Sequence, residues 1–237
     1  MIVAVPSMGR AGKTTTDKTI PSTVFYVPAR EVEQYKRSGV QSVIGVPDEI
    51  KGITKTRNWI LDSCGDPRVV MIDDDVRVCG FVRLDPTKNK HLKLTAEQWI
   101  SEMETLFDVA QGLGYRIWGV ATVGASWGVR PWTPFLFQSY VTASFMGIVN
   151  DGRTRFDESF KVKEDYELCL RCITQDGGVL AARYLYWEND HWHTAGGCAT
   201  YRTPEIELDA IKRLQEMYPA LVRQVTRGGS EFSIDIL

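Results

Sequence analysis

Three consecutive carboxylates, Asp73-Asp74-Asp75, follow directly on the apolar run Val69-Val70-Met71-Ile72. An apolar run of that length, with β-branched residues, reads as a buried strand, so the three charges are delivered to its carboxyl end. Adjacent like charges repel, and a hard divalent cation would relieve that repulsion. Side chains alternate along a strand, which predicts Asp73 and Asp75 on one side and Asp74 on the other. One carboxylate can then bind a metal ion while another holds a sugar hydroxyl. The plainer alternative is a solvated acidic turn.

A second acidic pair lies in Lys163-Glu164-Asp165, at the start of a helical stretch. Carboxylates at a helix N-terminus are favoured by the helix dipole, so capping is one reading. The other is a general base that takes the proton of an acceptor hydroxyl. His191 and His193 are two of the three histidines in the chain. In an extended segment both fall on one face. Gly196-Gly197 would let the chain turn beneath a diphosphate, and His91 reads as a solvated residue of a polar loop.

Residues 7–14, Ser-Met-Gly-Arg-Ala-Gly-Lys-Thr, come close to the phosphate-binding pattern G-x-x-x-x-G-K-[ST]. Ser7 stands where the first glycine belongs. The pattern also needs a helix directly after it, and Thr14-Thr15-Thr16 followed by Pro21 is a weak helix former. The segment therefore reads as a loop after the first strand, with Pro6, Ser7, Arg10 and Lys13 available to a nucleotide and its diphosphate. The carboxyl edge of an open α/β sheet is where such ligands bind. A solvated loop is an equal reading for Lys13.

The elements that must position these groups alternate in the first half. Ile2–Val5, Val24–Val27, Val43–Val46 and Val69–Ile72 read as strands, with helices over Ala29–Ser38 and Thr54–Asp62 between them. That order predicts an α/β fold with a mostly parallel central sheet flanked by helices. The clearest helix is 95–113: Thr95 with Gln98 forms a capping box, and Ile100, Met103, Leu106, Phe107 and Ala110 recur at helical spacing. Ile117–Val123, Val141–Val149 and Val179–Tyr186 are further strands, and Asp165–Thr174 is a helix closed by Gly177-Gly178. Thr203 and Pro204 open a last helix, and the tail after Gly228 is expected to pack loosely.

The 237 residues suit one α/β domain. With 43% hydrophobic and 24% charged residues, the composition is that of a globular chain with a large core. A net charge of -2 carries no strongly basic footprint, although a local basic groove is compatible with it. No apolar run is long enough to span a membrane and no signal peptide is evident, which predicts a cytoplasmic protein with reduced thiols. Cys169 and Cys172 form a single C-x-x-C without a second pair and are expected to face the core of their helix.

The Asp73–Asp75 segment resembles the D-x-D motif of GT-A glycosyltransferases, which bind a nucleotide-sugar donor. The resemblance implies a nucleoside role for Asp73, a metal role for Asp75 with Mn²⁺ or Mg²⁺, and donor contacts that include Asp74. Gly52-Ile53-Thr54-Lys55-Thr56-Arg57-Asn58 resembles the family's stretch in which a basic residue and an Asn, here Arg57 and Asn58, face the nucleotide. Lys163-Glu164-Asp165 resembles the x-E-D motif, where Asp is the base, which implies Asp165 as first candidate and Glu164 as second, and a histidine near the C-terminus, here His193 in preference to His191, completes the metal shell in many members. Val5–Arg10, Arg155-Phe156-Asp157 and the His191/His193 segment extend the likeness to the bacteriophage TET-associated glycosyltransferases. That likeness implies a UDP-sugar donor, a hydroxymethylpyrimidine such as 5-hydroxymethylcytosine in DNA as acceptor, and the host cytoplasm as location. It also implies one domain over residues 1–237, with a nucleotide-sugar-binding half (1–90) and an acceptor and metal-completing half (91–237).

Trp118, Trp127, Trp132, Phe135 and Phe137 cluster in sequence with Arg116 and Arg130, and would either stack on extruded bases or fill the core. Another acceptor (protein, polysaccharide or small molecule), a P-loop phosphotransferase and a non-catalytic nucleotide- or DNA-binding module are the competing readings. Stereochemistry and oligomeric state are left open.

Overall fold

The computed structural model describes residues 1–85, 87–122, 124, 128–189, 203–227 and 230–237. Its centre is a ten-stranded sheet. β1 (Ile2–Pro6), β2 (Thr23–Pro28), β3 (Val43–Val46) and β4 (Arg68–Ile72) form a parallel block in the order β3-β2-β1-β4. β9 (Phe145–Val149) lies antiparallel between β4 and β7 (Ile117–Thr122), which restores the direction of β4. β10 (Leu180–Asn189) then runs parallel to β7. β1, β2, β3, β4, β7 and β10 therefore all end at one edge. β5 (Val76–Arg83) starts at that edge, and β6 (Lys90–Lys93) returns to it as the outermost strand. The short β8 (Phe135–Leu136) pairs with β10.

Alternation along the strands sends apolar side chains to both faces, so both need cover. Val3, Val5, Val70 and Ile72 face a cluster with Tyr35 of α2 (Val32–Arg37) and Trp99, Met103, Leu106 and Phe107 of α4 (Ala96–Gly112). Ala4, Val69 and Met71 face the opposite cluster, with Ile60 and Leu61 of α3 (Ile53–Ser63) and Leu168, Cys169 and Cys172 of α5 (Glu164–Asp176). The expected α/β fold with helices on both faces is thus present, and both cysteines of the C-x-x-C are fully buried in the core. A third cluster joins α5 to α6 (Pro204–Met217) and to the hairpin β11 (Val222–Arg227) and β12 (Ser230–Ile236). No helix among the described residues is long and apolar enough to cross a membrane.

The capping box of α4 is formed: Thr95 Oγ1 accepts from Gln98 N and Gln98 Oε1 accepts from Thr95 N. Thr203 caps α6 with Pro204 in its first turn. Several expectations differ from the structure. Trp99, rather than Ile100, is the fully buried residue of the first turn of α4. The strand expected over Val141–Val149 begins only at Phe145, because Val141 turns inward to bond Cys169. β5 and β6 had no counterpart in the sequence reading, and His91 belongs to β6, where its ring packs 4.4 Å from that of Tyr186. The tail is a paired hairpin rather than loosely packed, and Ile234 is buried.

Candidate active site

β4 ends at Ile72, and Asp73, Asp74 and Asp75 form the turn into β5. Because the chain turns there, the strand alternation expected for the three carboxylates does not hold. Arg10 reaches Asp74 (2.6 Å) and also Asp75 (3.7 Å), while Asp73 faces Arg57 at 3.9 Å. Asp74 and Asp75 are nearly inaccessible, whereas the Asp73 side chain retains 27% exposure. Asp74 also accepts a very short hydrogen bond from Ser7, which in turn pairs with the Tyr35 hydroxyl at 2.6 Å. Burial pushes the Asp74 carboxyl up, and the bonds from Ser7 and Arg10 pull it back. Asp75 accepts from Asn189 Nδ2 at 3.4 Å, at the end of β10.

The threonine run that disfavoured a P-loop has another use. Residues 7–15 form turns and lead only into the four-residue helix α1 (Thr16–Thr19). Thr15 N and Thr16 N donate to Asp74 O, Thr16 Oγ1 donates to Asp73 O at 2.6 Å, and Val76 N donates to Thr16 Oγ1. Thr15 and Thr19 hydroxyls donate to Val76 O. The backbone of the acidic turn is therefore clamped from below, and its carboxylates are fixed by neighbours rather than by their own strand. Lys13 is exposed, with its amide bonded to Arg10 O. Pro6 closes β1 beside Ser7.

Gly52 opens α3 with φ 94°, a conformation that favours glycine. Arg57 and Asn58 are both buried, but only Arg57 faces the acidic turn. Arg57 Nη1 pairs with Glu164 Oε1 at 2.5 Å while Nη2 is directed to Asp73. Asn58 differs from the expectation that it faces a nucleotide: its amide donates to Phe156 O and accepts from Phe156 N. It thereby holds the 150–163 loop, and no polar atom of it is left over for a ligand at the turn. The Arg155-Phe156-Asp157 segment is this loop, with Phe156 buried.

Glu164 and Asp165 begin α5 and point to different partners. Burial pushes the Glu164 carboxyl up to about 7, and the Arg57 guanidinium beside it acts in the opposite direction. Asp165 Oδ2 accepts from Tyr140 OH (2.5 Å) and Ala143 N (3.2 Å), and Oδ1 accepts from Tyr166 N (2.9 Å). Burial and the adjacent carboxylate push the Tyr140 phenol well above its usual range, so it stays a donor at neutral pH. Its ring stacks on Tyr166 at 3.9 Å. The preceding residue, Lys163, is the one non-glycine with positive φ among the described residues. It is held there by Glu207 (3.0 Å) and Phe232 O (2.8 Å).

The structure thus brings Ser7, Arg10, Arg57, Asp73, Asp74, Asp75, Glu164 and Asp165 to one sheet edge. His191, His193, Trp127, Cys198 and Gly196-Gly197 lie outside the described residues. The described residues include no set of three or more His, Cys, Asp or Glu groups able to cage a metal ion. Of the aromatic group, Trp118 is fully buried and Arg116 is paired with Asp176, so neither can stack on a base, whereas Trp132 is 78% exposed. Tyr35, Tyr140 and Asn189 are site residues that sequence reasoning missed. Each is an ordinary member of a helix, loop or strand, with no local signal.

The same fold occurs in Staphylococcus aureus TarS residues 1–349 in complex with UDP-GlcNAc (TM-score 0.52, 12% identity, 91% of this chain and 67% of that one). It occurs again in Mycobacterium tuberculosis glucosyl-3-phosphoglycerate synthase with Mn²⁺, UDP-glucose and phosphoglyceric acid (TM-score 0.53, 12% identity, 99% and 85%). This chain spans about two thirds of the TarS structure. The fold is the one that the resemblance to GT-A glycosyltransferases implies. More narrowly, the chain belongs to the TET-associated glycosyltransferase family, whose model matches residues 1–197. It is also similar to the beta-glucosyl-HMC-alpha-glucosyl-transferases of Enterobacteria phages T2 and T6. Identity is 24% over 234 residues and 23% over 236, and each match covers 94% of this chain and 82% of the relative.

Proposed function

We propose that the chain transfers a sugar from a nucleotide-sugar donor, a UDP-sugar, to a hydroxymethylpyrimidine of DNA, with 5-hydroxymethylcytosine the first candidate. The observation that carries this reading is the shared sheet edge. Arg57 bridges the donor-side Asp73 and the base-side Glu164, so that the two halves of a transfer reaction meet at one buried cation. The phage relatives, named for HMC, support DNA as the acceptor. Their name also carries beta-glucosyl-HMC, which favours a second acceptor: the hydroxyl of a sugar already attached to the base.

Asp73, the most accessible of the three carboxylates, accepts the donor's ribose hydroxyls. Asp75, which Arg10 and Asn189 engage in this structure, would hold the metal ion, together with His193 or, second, His191 and the donor's phosphates. Mg²⁺ sites commonly use one or two carboxylates together with substrate phosphates, a demand that hard oxygens at this turn meet. Such a cation, when bound, supplies Lewis-acid neutralisation of the charge on the departing diphosphate. Arg10, with Lys13 at the rim, adds positive charge on the phosphate side. Asp165 is the general base: Tyr140 and Ala143 hold Oδ2, and Oδ1 takes the acceptor proton. Glu164 pairs with Arg57 and positions it rather than taking the acceptor proton.

The test follows nucleoside diphosphate release from a panel of sugar nucleotides with Mn²⁺ or Mg²⁺. Hydroxymethylated, glucosylated and unmodified DNA are compared for the native chain, Asp75→Asn and Asp165→Asn. Release is expected to need both metal and modified DNA. Asp165→Asn should lower kcat by about 10²–10⁴-fold, the usual share of a general base, and Asp75→Asn should abolish turnover together with metal-dependent donor binding. Metal-dependent release indifferent to DNA would discard the acceptor. Absence of any metal-dependent turnover or donor binding would discard the whole reading.

A further inference from the structure

Beside the acidic turn lies an open cleft of about 520 Å³ lined by Thr15, Lys18, Thr19, Arg77, Val78, Cys79, Lys93 and Leu94. Three of these eight residues are cations and none is acidic. Lys18, Arg77 and Lys93 are all exposed, and Lys18 and Lys93 make no ion pair with the described residues. On a chain of net charge -2 this is a local concentration of positive charge.

The cleft is at the ligand edge of the sheet. β5 begins there at Val76 and β6 ends there at Lys93, and the ladder between them starts only at Gly80 and Lys93. Val76 and Val78 pair with β10 on one side, which leaves the other flank of β5 as the floor of the cleft. α1 forms the opposite wall through Thr15, Lys18 and Thr19. Thr15 both lines the cleft and donates its amide to Asp74 O, and Arg77 follows Asp75 by two residues. The cleft and the proposed donor site are therefore neighbours, separated by the clamped backbone of the turn.

Lysines on an edge strand guard against strand pairing, which accounts for Lys90 and Lys93. It does not account for Lys18, which comes from a helix yet faces the same space. Clustered Lys and Arg around an open, water-accessible cleft suit a polymer's phosphodiesters, which are bound by charge and pass through, rather than an enclosed small ligand.

We propose that this cleft binds two neighbouring backbone phosphates, one at Lys18 and one at Lys93, of the DNA strand that carries the acceptor base, and so sets that base over the transfer site. The proposal rests on the DNA-acceptor reading. Lys18 and Lys93 act as positioning residues that touch backbone and not donor.

The test uses the double variant Lys18→Gln/Lys93→Gln and hydroxymethylated duplex DNA. Affinity is measured over a salt series, with melting temperature and DNA-independent hydrolysis of the sugar nucleotide alongside. The slope of log affinity against log salt should fall by about two, one for each phosphate-contacting cation, and affinity at low salt should fall about tenfold. Donor hydrolysis and melting temperature should remain native. A native salt slope in the variant, with DNA still bound by the native chain, would overturn the cleft's role and leave the acceptor reading standing. Loss of donor hydrolysis in the variant would reassign the cleft to the donor and overturn the proposal. Salt-independent or absent DNA binding by the native chain would remove the acceptor reading and the cleft's role together.

Discussion

Arg57 sits between two carboxylates of different depth, Asp73 at the edge of solvent and Glu164 inside. Glu164 and Asp165 are adjacent in sequence, yet the helix turns them apart, one to a guanidinium and the other to a phenol. Glu164 has a testable titration. Burial raises its carboxyl from 4.5 to about 7, so between these values the folded chain holds a proton that the unfolded chain has released. Stability therefore falls as pH rises through that window. The melting temperature of the native chain should decline more steeply between pH 4.5 and about 7, the window set by the shift, than that of Glu164→Gln. Parallel slopes would show that Arg57 keeps Glu164 ionised throughout.

At the scale of elements, the central strands carry side chains too large for any neighbour but glycine. A Cβ on Gly147 of β9 would lie 1.9 Å from the Trp118 ring of β7, and one on Gly119 would lie 2.0 Å from Val141. The ring of Trp118 cannot move aside, because it is packed edge-on against Phe107 of α4 at 5.2 Å. Gly147→Ala should cost about 3 kcal/mol by overpacking, read from urea unfolding. A loss below about 1 kcal/mol would mean that β9 can shift against β7. The Gly119–Val141 contact also explains why the strand expected from Val141 onward is delayed: that segment is committed to capping the sheet and presenting Tyr140 to Asp165.

Over the whole molecule, the C-terminal cluster of α6, β11 and β12 is tied to the site through a buried pair. Lys163 immediately precedes Glu164, and its amine is bonded to Glu207 of α6 and to Phe232 O of β12. The left-handed backbone of Lys163, costly for a residue with a Cβ, is kept by those two contacts. Glu207→Ala leaves the ammonium buried without its counter-ion and should cost about 3–5 kcal/mol, measured by denaturant unfolding. It should also lower kcat, since the start of α5 relaxes with it. Native stability in this variant would mean that Phe232 O alone satisfies Lys163.

The sequence by itself determined features whose causes are local. Thr95 with Gln98, Thr203 with Pro204, the apolar run that ends in three aspartates and the core-facing Cys169 and Cys172 all follow from neighbours within a turn or a strand. The tertiary structure alone decided which carboxylate does what. Ser7 meets Asp74 across 67 residues, Tyr140 meets Asp165 across 25 and Arg57 meets Glu164 across 107. The short hairpins β5–β6 and β11–β12 were equally hidden. Their strands gain stability from cross-strand pairing and from burial against other elements, and although β12 alternates Phe232, Ile234 and Ile236 with polar residues, that alternation does not say which strand it pairs with. A motif fixes the residue types at a site, but the charge each one carries and the direction it faces depend on partners that only folding brings within reach.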